Sequence, residues 1–138
     1  GGASLCLLGS DGLVYGIDER GDLRASDRFG PGPVQQIMGD GVSATCVIRD
    51  NPARQVACLG DGQEGQMGQG DRVSHTQTSV DIPGMTGIRI LAGYWRGFCA
   101  EKLNGEMWCW GANNQNRYLV GNEDDVLSPT QVPGFPIP

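Results

Sequence analysis

One block of sequence occurs twice in this chain, about fifty residues apart, and that period constrains the fold more than any other feature. Val80-Asp81-Ile82-Pro83-Gly84-Met85 is followed by Cys99 and then by Met107-Trp108-Cys109-Trp110-Gly111. The first part returns downstream as Gln131-Val132-Pro133-Gly134-Phe135. The second part stands upstream as Cys46 with Val56-Ala57-Cys58-Leu59-Gly60. A period of this length marks a repeat architecture, in which each unit buries its apolar face against the next. Such scaffolds mostly present surfaces, so function has to be sought in residues grafted onto the repeat.

The chain divides into a partial repeat A (1–32), repeat B (33–78), repeat C (79–127) and the opening of a further repeat (128–138). Each reads as short apolar strands separated by Gly, Asn, Asp and Pro. Asp11-Gly12 and Asn104-Gly105, each between two apolar segments, are hairpin signals. The 23 glycines follow no three-residue period, which excludes collagen. No window sustains helical periodicity. The expected class is all-β, with three or four strands per repeat. No stretch approaches the ~18 apolar residues of a membrane span. The start, Gly-Gly-Ala-Ser, has no signal-like charge or apolar region, so the expectation is either that a targeting segment has been removed or that this is an internal piece of a longer chain.

The net charge is −6, and Lys102 is the single lysine. A nucleic-acid binder needs a cationic stripe to neutralise phosphates, and none is present in the sequence. His75 is the single histidine, which disfavours a Cys-His nucleophile, and the cysteine spacing does not suit zinc. Glu123-Asp124-Asp125 lacks the alternating spacing of a calcium loop and reads as a solvated acidic loop. No metal, cofactor or catalytic residue is expected.

Cys46 and Cys58 flank one hairpin, and Cys99 and Cys109 flank another. Both pairs have an even sum of positions. Direct opposition across a hairpin then requires a loop with an odd number of residues, three or five. The repeated placement and shared parity predict the disulfides Cys46–Cys58 and Cys99–Cys109. A three-residue loop with Gly105 left-handed would satisfy the second. At the equivalent position opposite Cys6 stands Gly16, so Cys6 is read as a buried thiol outside any hairpin disulfide, with a bridge to a part of the protein outside this chain as the alternative. Disulfides point to an extracellular or other oxidising compartment.

The segment that joins a strand ending in Cys, an Asn-Gly or Asp-Gly turn and Met107-Trp108-Cys109-Trp110-Gly111 resembles the RCC1-type repeat (regulator of chromosome condensation). Gly60-Asp61-Gly62-Gln63-Glu64-Gly65-Gln66-Met67-Gly68-Gln69-Gly70 is similar to that family's Gly-x-Asn-x-x-Gly-Gln-Leu-Gly-x-Gly signature, and Val132-Pro133-Gly134-Phe135 to its inter-repeat Val-Pro-Gly-Leu. The resemblance implies a β-propeller, of which this chain holds about two to three blades. The family's Gly-Gly-x-His-(Thr/Ser) run is replaced by Gly39-Asp40-Gly41-Val42-Ser43-Ala44-Thr45 and by Gly93-Tyr94-Trp95-Arg96-Gly97-Phe98. In repeat C the Gly-Gln-Leu-Gly run is degraded to Asn116-Arg117-Tyr118-Leu119. The guanine-nucleotide exchange or chromatin-docking role that the resemblance also implies is disfavoured by these losses and by the acidic balance.

Three partial blades do not close a ring and would leave inter-blade faces open, so the remaining blades of the same propeller or another protein should cover them. The strand residues Ile88, Ile90, Phe98, Met107 and Trp108 are assigned to the core. Trp108 and Trp110 are assigned one to each face of their strand. Tyr94, Trp95 and Arg96 replace the small residues Gly41-Val42-Ser43 of repeat B and are the candidate binding residues, since Tyr, Trp and Arg dominate interface hot spots. The polar run Asn113-Asn114-Gln115-Asn116-Arg117 offers amides to a ligand. The expected function is a non-enzymatic binding module with a protein partner. An enzyme inhibitor or a lectin-like propeller is the alternative, because aromatic rings also stack on carbohydrate.

Overall fold

A computed structural model describes residues 6–17, 20–114, 118 and 121–134. Among these residues eleven strands form three antiparallel meanders. The first sheet, blade A, contains β1 (Cys6–Leu8), β2 (Val14–Ile17) and β3 (Leu23–Ala25). Blade B contains β4 (Val34–Gly39), β5 (Ala44–Arg49), β6 (Val56–Gly60) and β7 (His75–Asp81). Blade C contains β8 (Ile88–Gly93), β9 (Gly97–Lys102), β10 (Met107–Gly111) and β11 (Val126–Gln131). Each blade's strands are hydrogen-bonded in chain order, giving a partial β-propeller. The sheets are offset from the sequence repeats, since β7 spans position 79 and β11 spans position 128.

The two cysteine hairpins take both of the odd loop lengths. In blade C the loop is Leu103–Gly105. The Gly105 N–H donates to the Lys102 carbonyl (2.9 Å), the Lys102 N–H to the Glu106 carbonyl (2.8 Å), and Gly105 is left-handed at φ 92°. In blade B the loop runs over 50–54, closed by the Arg49 N–H donating to the Gln55 carbonyl at 3.0 Å. Cys99 therefore lies opposite Cys109, and Cys46 opposite Cys58, with Cα separations of 4.1 and 4.0 Å, and both pairs are disulfides. Cys6 lies opposite Gly16 and belongs to neither disulfide. Cys6 is half-buried against the A–B core rather than fully buried, and the glycine opposite supplies no side chain beside it.

Apolar side chains fill the spaces between blades. Val14, Phe29, Val34, Val47 and Ala57 form the A–B core. The larger B–C core combines Cys46, Ile48, Val56 and Cys58 of one blade with Ile88, Leu91, Phe98, Ala100 and Trp110 of the next. Trp108 and Trp110 oppose Ala100 and Phe98, so they share one face; two residues apart on a strand, they cannot lie on opposite faces. Trp110 is fully buried and Trp108 half-buried.

Ile88, Phe98, Met107 and Trp108 join the core, but Ile90 is 44% exposed. A bulge between Ile88 and Ile90 inserts Arg89 without a partner and turns Ile90 to the face of blade C that points away from blade B.

Polar side chains also cross from blade to blade. The Gln36 amide donates to the Leu91 carbonyl (2.8 Å) and its carbonyl accepts the Leu91 N–H (2.9 Å). Arg54, in the blade B hairpin loop, donates to the Ile88 carbonyl at 2.6 Å and to the Arg89 carbonyl at 3.3 Å. It does so from a left-handed backbone (φ 47°), the place that Gly105 holds in blade C. Gln55 donates to the carbonyls of Ile82 (2.8 Å) and Met85 (3.2 Å) and so clamps the segment between blades B and C.

Candidate interaction surface

In a four-stranded meander the first and third turns lie at one end of the blade, and the second turn lies at the other. The turns β4–β5 and β8–β9 therefore share a side with the loops β6–β7 and β10–β11. Contacts on that side confirm the placement. The Asp61 N–H donates to the Ser43 carbonyl (3.2 Å), and Arg72 pairs with Asp125 (2.8 Å).

Tyr94, Trp95 and Arg96 form the β8–β9 turn. The Tyr94 N–H donates to the Gly97 carbonyl (3.1 Å) and the Gly97 N–H to the Tyr94 carbonyl (3.2 Å), so the loop is the two-residue pair Trp95-Arg96. Both residues are left-handed, at φ 37° and 65°. That geometry normally takes Asn-Gly, because a Cβ in it costs on the order of 1–2 kcal/mol per residue. Tyr94 is 76% exposed and Trp95 43% exposed. The equivalent turn of blade B carries no such strain at its side chains. There Gly41 takes the left-handed position (φ 81°), and Asp40 Oδ1 accepts the N–H groups of Val42, Ser43 and Ala44 at 2.8, 2.8 and 3.1 Å.

Arg96 holds the strained turn in place. Its Nη1 pairs with Glu64 Oε1 at 2.9 Å, and its guanidinium carbon lies 5.9 Å from the Trp95 ring centroid. Glu64 is fixed in turn by Gln66, whose Nε2 donates to Glu64 Oε2 (3.0 Å) and whose Oε1 accepts the Glu64 N–H (2.8 Å). The carbonyl of the buried Gln66 accepts the indole N–H of Trp110 at 2.8 Å. The turn is thus keyed through Glu64 and Gln66 to the largest side chain of the core. Glu64 was not among the candidates from sequence; it lies inside the glycine-rich signature, 32 positions from Arg96, and nothing local marks it.

Other candidates prove structural. Asn113 is buried, donates to the Asn122 carbonyl (2.9 Å) and accepts the Tyr118 N–H (3.1 Å). Gln115, Asn116 and Arg117 lie outside the described residues. Asp125 is engaged by Arg72, whereas Glu123 and Asp124 are exposed. Among the described residues no three His, Cys, Asp or Glu side chains are grouped to hold a metal ion, and no helix is long and apolar enough to cross a membrane.

No family model matches the chain. The ultraviolet-B receptor UVR8 of Arabidopsis thaliana is 32% identical over 146 residues, covering 96% of this chain and 32% of the receptor. A chain in the complex of Kap60 with yeast RCC1 (Prp20) superposes with a TM-score of 0.63 at 11% identity, covering 88% of this chain and 35% of that one. The chain belongs to the RCC1-like repeat family. Human WBSCR16 shares the RCC1-like fold with a TM-score of 0.76 at 19% identity, over 94% of this chain and 37% of that one. Prp20p of Saccharomyces cerevisiae, described with its binding to Gsp1p and histones, gives 0.60 at 13% identity, over 88% and 36%. The RCC1-like chain thus spans about a third of the length of these relatives.

Proposed function

We propose that this RCC1-like segment belongs to a non-enzymatic protein-interaction propeller, with Tyr94, Trp95 and Arg96 at its contact face. The observation that carries this reading is the β8–β9 turn. Two consecutive left-handed residues other than glycine, Trp95 and Arg96, make a turn that carries the exposed rings of Tyr94 and Trp95, where blade B solves the equivalent turn with Gly41 and an Asp40 cap. Strained backbone persists where surrounding structure holds it, and it clusters at ligand contacts. The Arg96–Glu64 pair supplies that support. Protein partners fit the family, since yeast Prp20 is known in complex with Kap60 and for binding Gsp1p and histones. The two disulfides favour an oxidising setting, with the extracellular space as the proposed location.

Affinity capture with the intact protein and with Trp95→Ala, run side by side, tests the reading. Partners retained by the native protein and lost by the variant, with an unchanged melting curve, support it. Equal retention by both would place the contact elsewhere.

A further inference from the structure

The side of the propeller that carries the Tyr94–Arg96 turn is also where its acid is concentrated. Among the described residues of blades B and C, the turns and loops on this side hold seven carboxylates against two arginines: Asp40, then Asp61, Glu64 and Asp71, then Glu123, Asp124 and Asp125. On the opposite side of the same two blades, the hairpin loops and the linker hold only Asp50 and Glu106 against Arg54. Both of those arginines on the acidic side are already committed, Arg72 to Asp125 and Arg96 to Glu64. Asp71, Glu123 and Asp124 are exposed and pair with no cation among the described residues. The imbalance continues below the surface. Asp40, only 1% exposed, satisfies Oδ1 with three backbone N–H groups, while its Oδ2 has no hydrogen-bond partner. Asp40 directly follows Gly39, whose carbonyl abuts Gly93 at the foot of the aromatic turn.

Exposed Tyr and Trp rings have negative faces that attract ammonium and guanidinium groups. Carboxylate loops around them raise the local concentration of the same groups and steer their approach. We infer that this side of the propeller takes a lysine- and arginine-bearing segment of a partner protein, with cationic side chains over Tyr94 and Trp95 and further cations along the loops of Asp71, Glu123 and Asp124. The inference rests on the reading of the β8–β9 turn as the contact face, and it adds the chemistry of the partner.

The test uses the intact protein and two fluorescent peptides of equal length, one alternating Lys and Gly and the other alternating Glu and Gly. Three variants are compared with the native protein: Asp71→Asn/Glu123→Gln/Asp124→Asn on the acidic side, Asp50→Asn/Glu106→Gln on the opposite side, and Trp95→Ala. Melting curves confirm that each is folded. The lysine peptide should bind and the glutamate peptide should not. Binding should weaken steeply from about 50 to about 300 mM salt. The acidic-side variant and Trp95→Ala should each weaken the lysine peptide by about tenfold, and the opposite-side variant by less than about twofold. Equal binding by the native and acidic-side proteins overturns the inference, and so does an equal loss with the opposite-side variant. Loss with Trp95→Ala but not with the acidic-side variant overturns the cationic partner and leaves the contact turn standing. Loss with the acidic-side variant but not with Trp95→Ala overturns the contact turn itself.

Discussion

Blades B and C share a four-stranded plan, a bulge in the first strand and a hairpin disulfide, yet the same face of each meets different surroundings. In blade B that face packs on blade C. Cys46, Ile48, Val56 and Cys58 are wholly buried there, and Gln36 hydrogen-bonds the neighbour's inner strand. In blade C the equivalent positions are Cys99, Glu101, Met107 and Cys109, with Ile90 in the place of Gln36. Only Cys109 of these is fully buried, and Glu101 pairs with Arg89 across the strand pair. The lesson is that the repeat fixes backbone and disulfide, while the residues between them record what each face meets. A disulfide belongs to the blade, and an interface belongs to the junction.

Four measurements would break or sharpen this contrast. The largest effect belongs to Trp110, the side chain of blade C that reaches a carbonyl of blade B. Trp110→Ala should destabilise the protein by about 3–5 kcal/mol in denaturant unfolding, since it leaves a cavity and an unpaired Gln66 carbonyl at the junction. A loss below about 1 kcal/mol would mean that the blades hardly depend on each other.

The disulfides come next. Each closes a short loop and should contribute less than the ~3 kcal/mol of longer ones. Cys46→Ala/Cys58→Ala should cost more than Cys99→Ala/Cys109→Ala, because it also empties space between packed blades. Equal losses would show that junction packing adds nothing to the bond.

A smaller change of opposite sign is expected at the two first turns. Replacing Trp95-Arg96 by Asn-Gly should relieve the left-handed strain and raise stability by about 1 kcal/mol, after loss of an ion pair of about 0.5 kcal/mol, while weakening partner binding. A lower melting temperature would show that the Arg96–Glu64 tie outweighs the strain.

The smallest effect lies in blade A, where the Tyr15 hydroxyl donates to Asp11 Oδ2 at the surface. The Tyr15 hydrogen bond holds the Asp11 carboxyl below its ordinary range, and the carboxylate holds the Tyr15 hydroxyl above its own. The Asp11 contribution is therefore present above the ordinary carboxylate pKa and fades as pH falls through the lowered value. The Tyr15 contribution is present below the ordinary phenol pKa and fades as pH rises through the raised one. Tyr15→Phe should flatten the stability–pH profile slightly at both ends, by lowering the neutral plateau a little while leaving the acid and alkaline extremes almost unchanged. A steep pH slope at neutrality that vanishes in this variant would contradict the assignment.

Much of the scaffold was legible in the sequence, because it depends on local rules. Strand alternation and loop parity were enough to pair Cys46 with Cys58 and Cys99 with Cys109, and to identify Gly16 as the residue opposite Cys6. The exposure of Ile90 was not legible, since its assignment to the core rests only on its being an apolar strand residue, and one inserted residue, Arg89, changes the face it occupies relative to Ile88. The turn class at Trp95-Arg96 was hidden for another reason. Neither residue favours positive φ, so only tertiary support at Glu64 makes that conformation tenable, and the support comes from the preceding blade. Cys6, expected to be buried, is half-buried, a difference the sequence does not mark.

One contact sets more than its own neighbourhood. A Cβ on Gly93 would lie against the Gly39 carbonyl, so the inner strands of blades B and C meet backbone to backbone. Farther out, the sheets are spaced by side chains as large as Trp110 and Phe98. Thin at the axis and thick at the rim, each blade is a wedge, and the taper fixes the angle through which one blade turns into the next. A circle closes only when those angles complete a full rotation. The missing methyl group at Gly93 is therefore a term in the ring's arithmetic: Gly93→Ala would thicken the inner edge, blunt the wedge, and favour a wider circle of more blades.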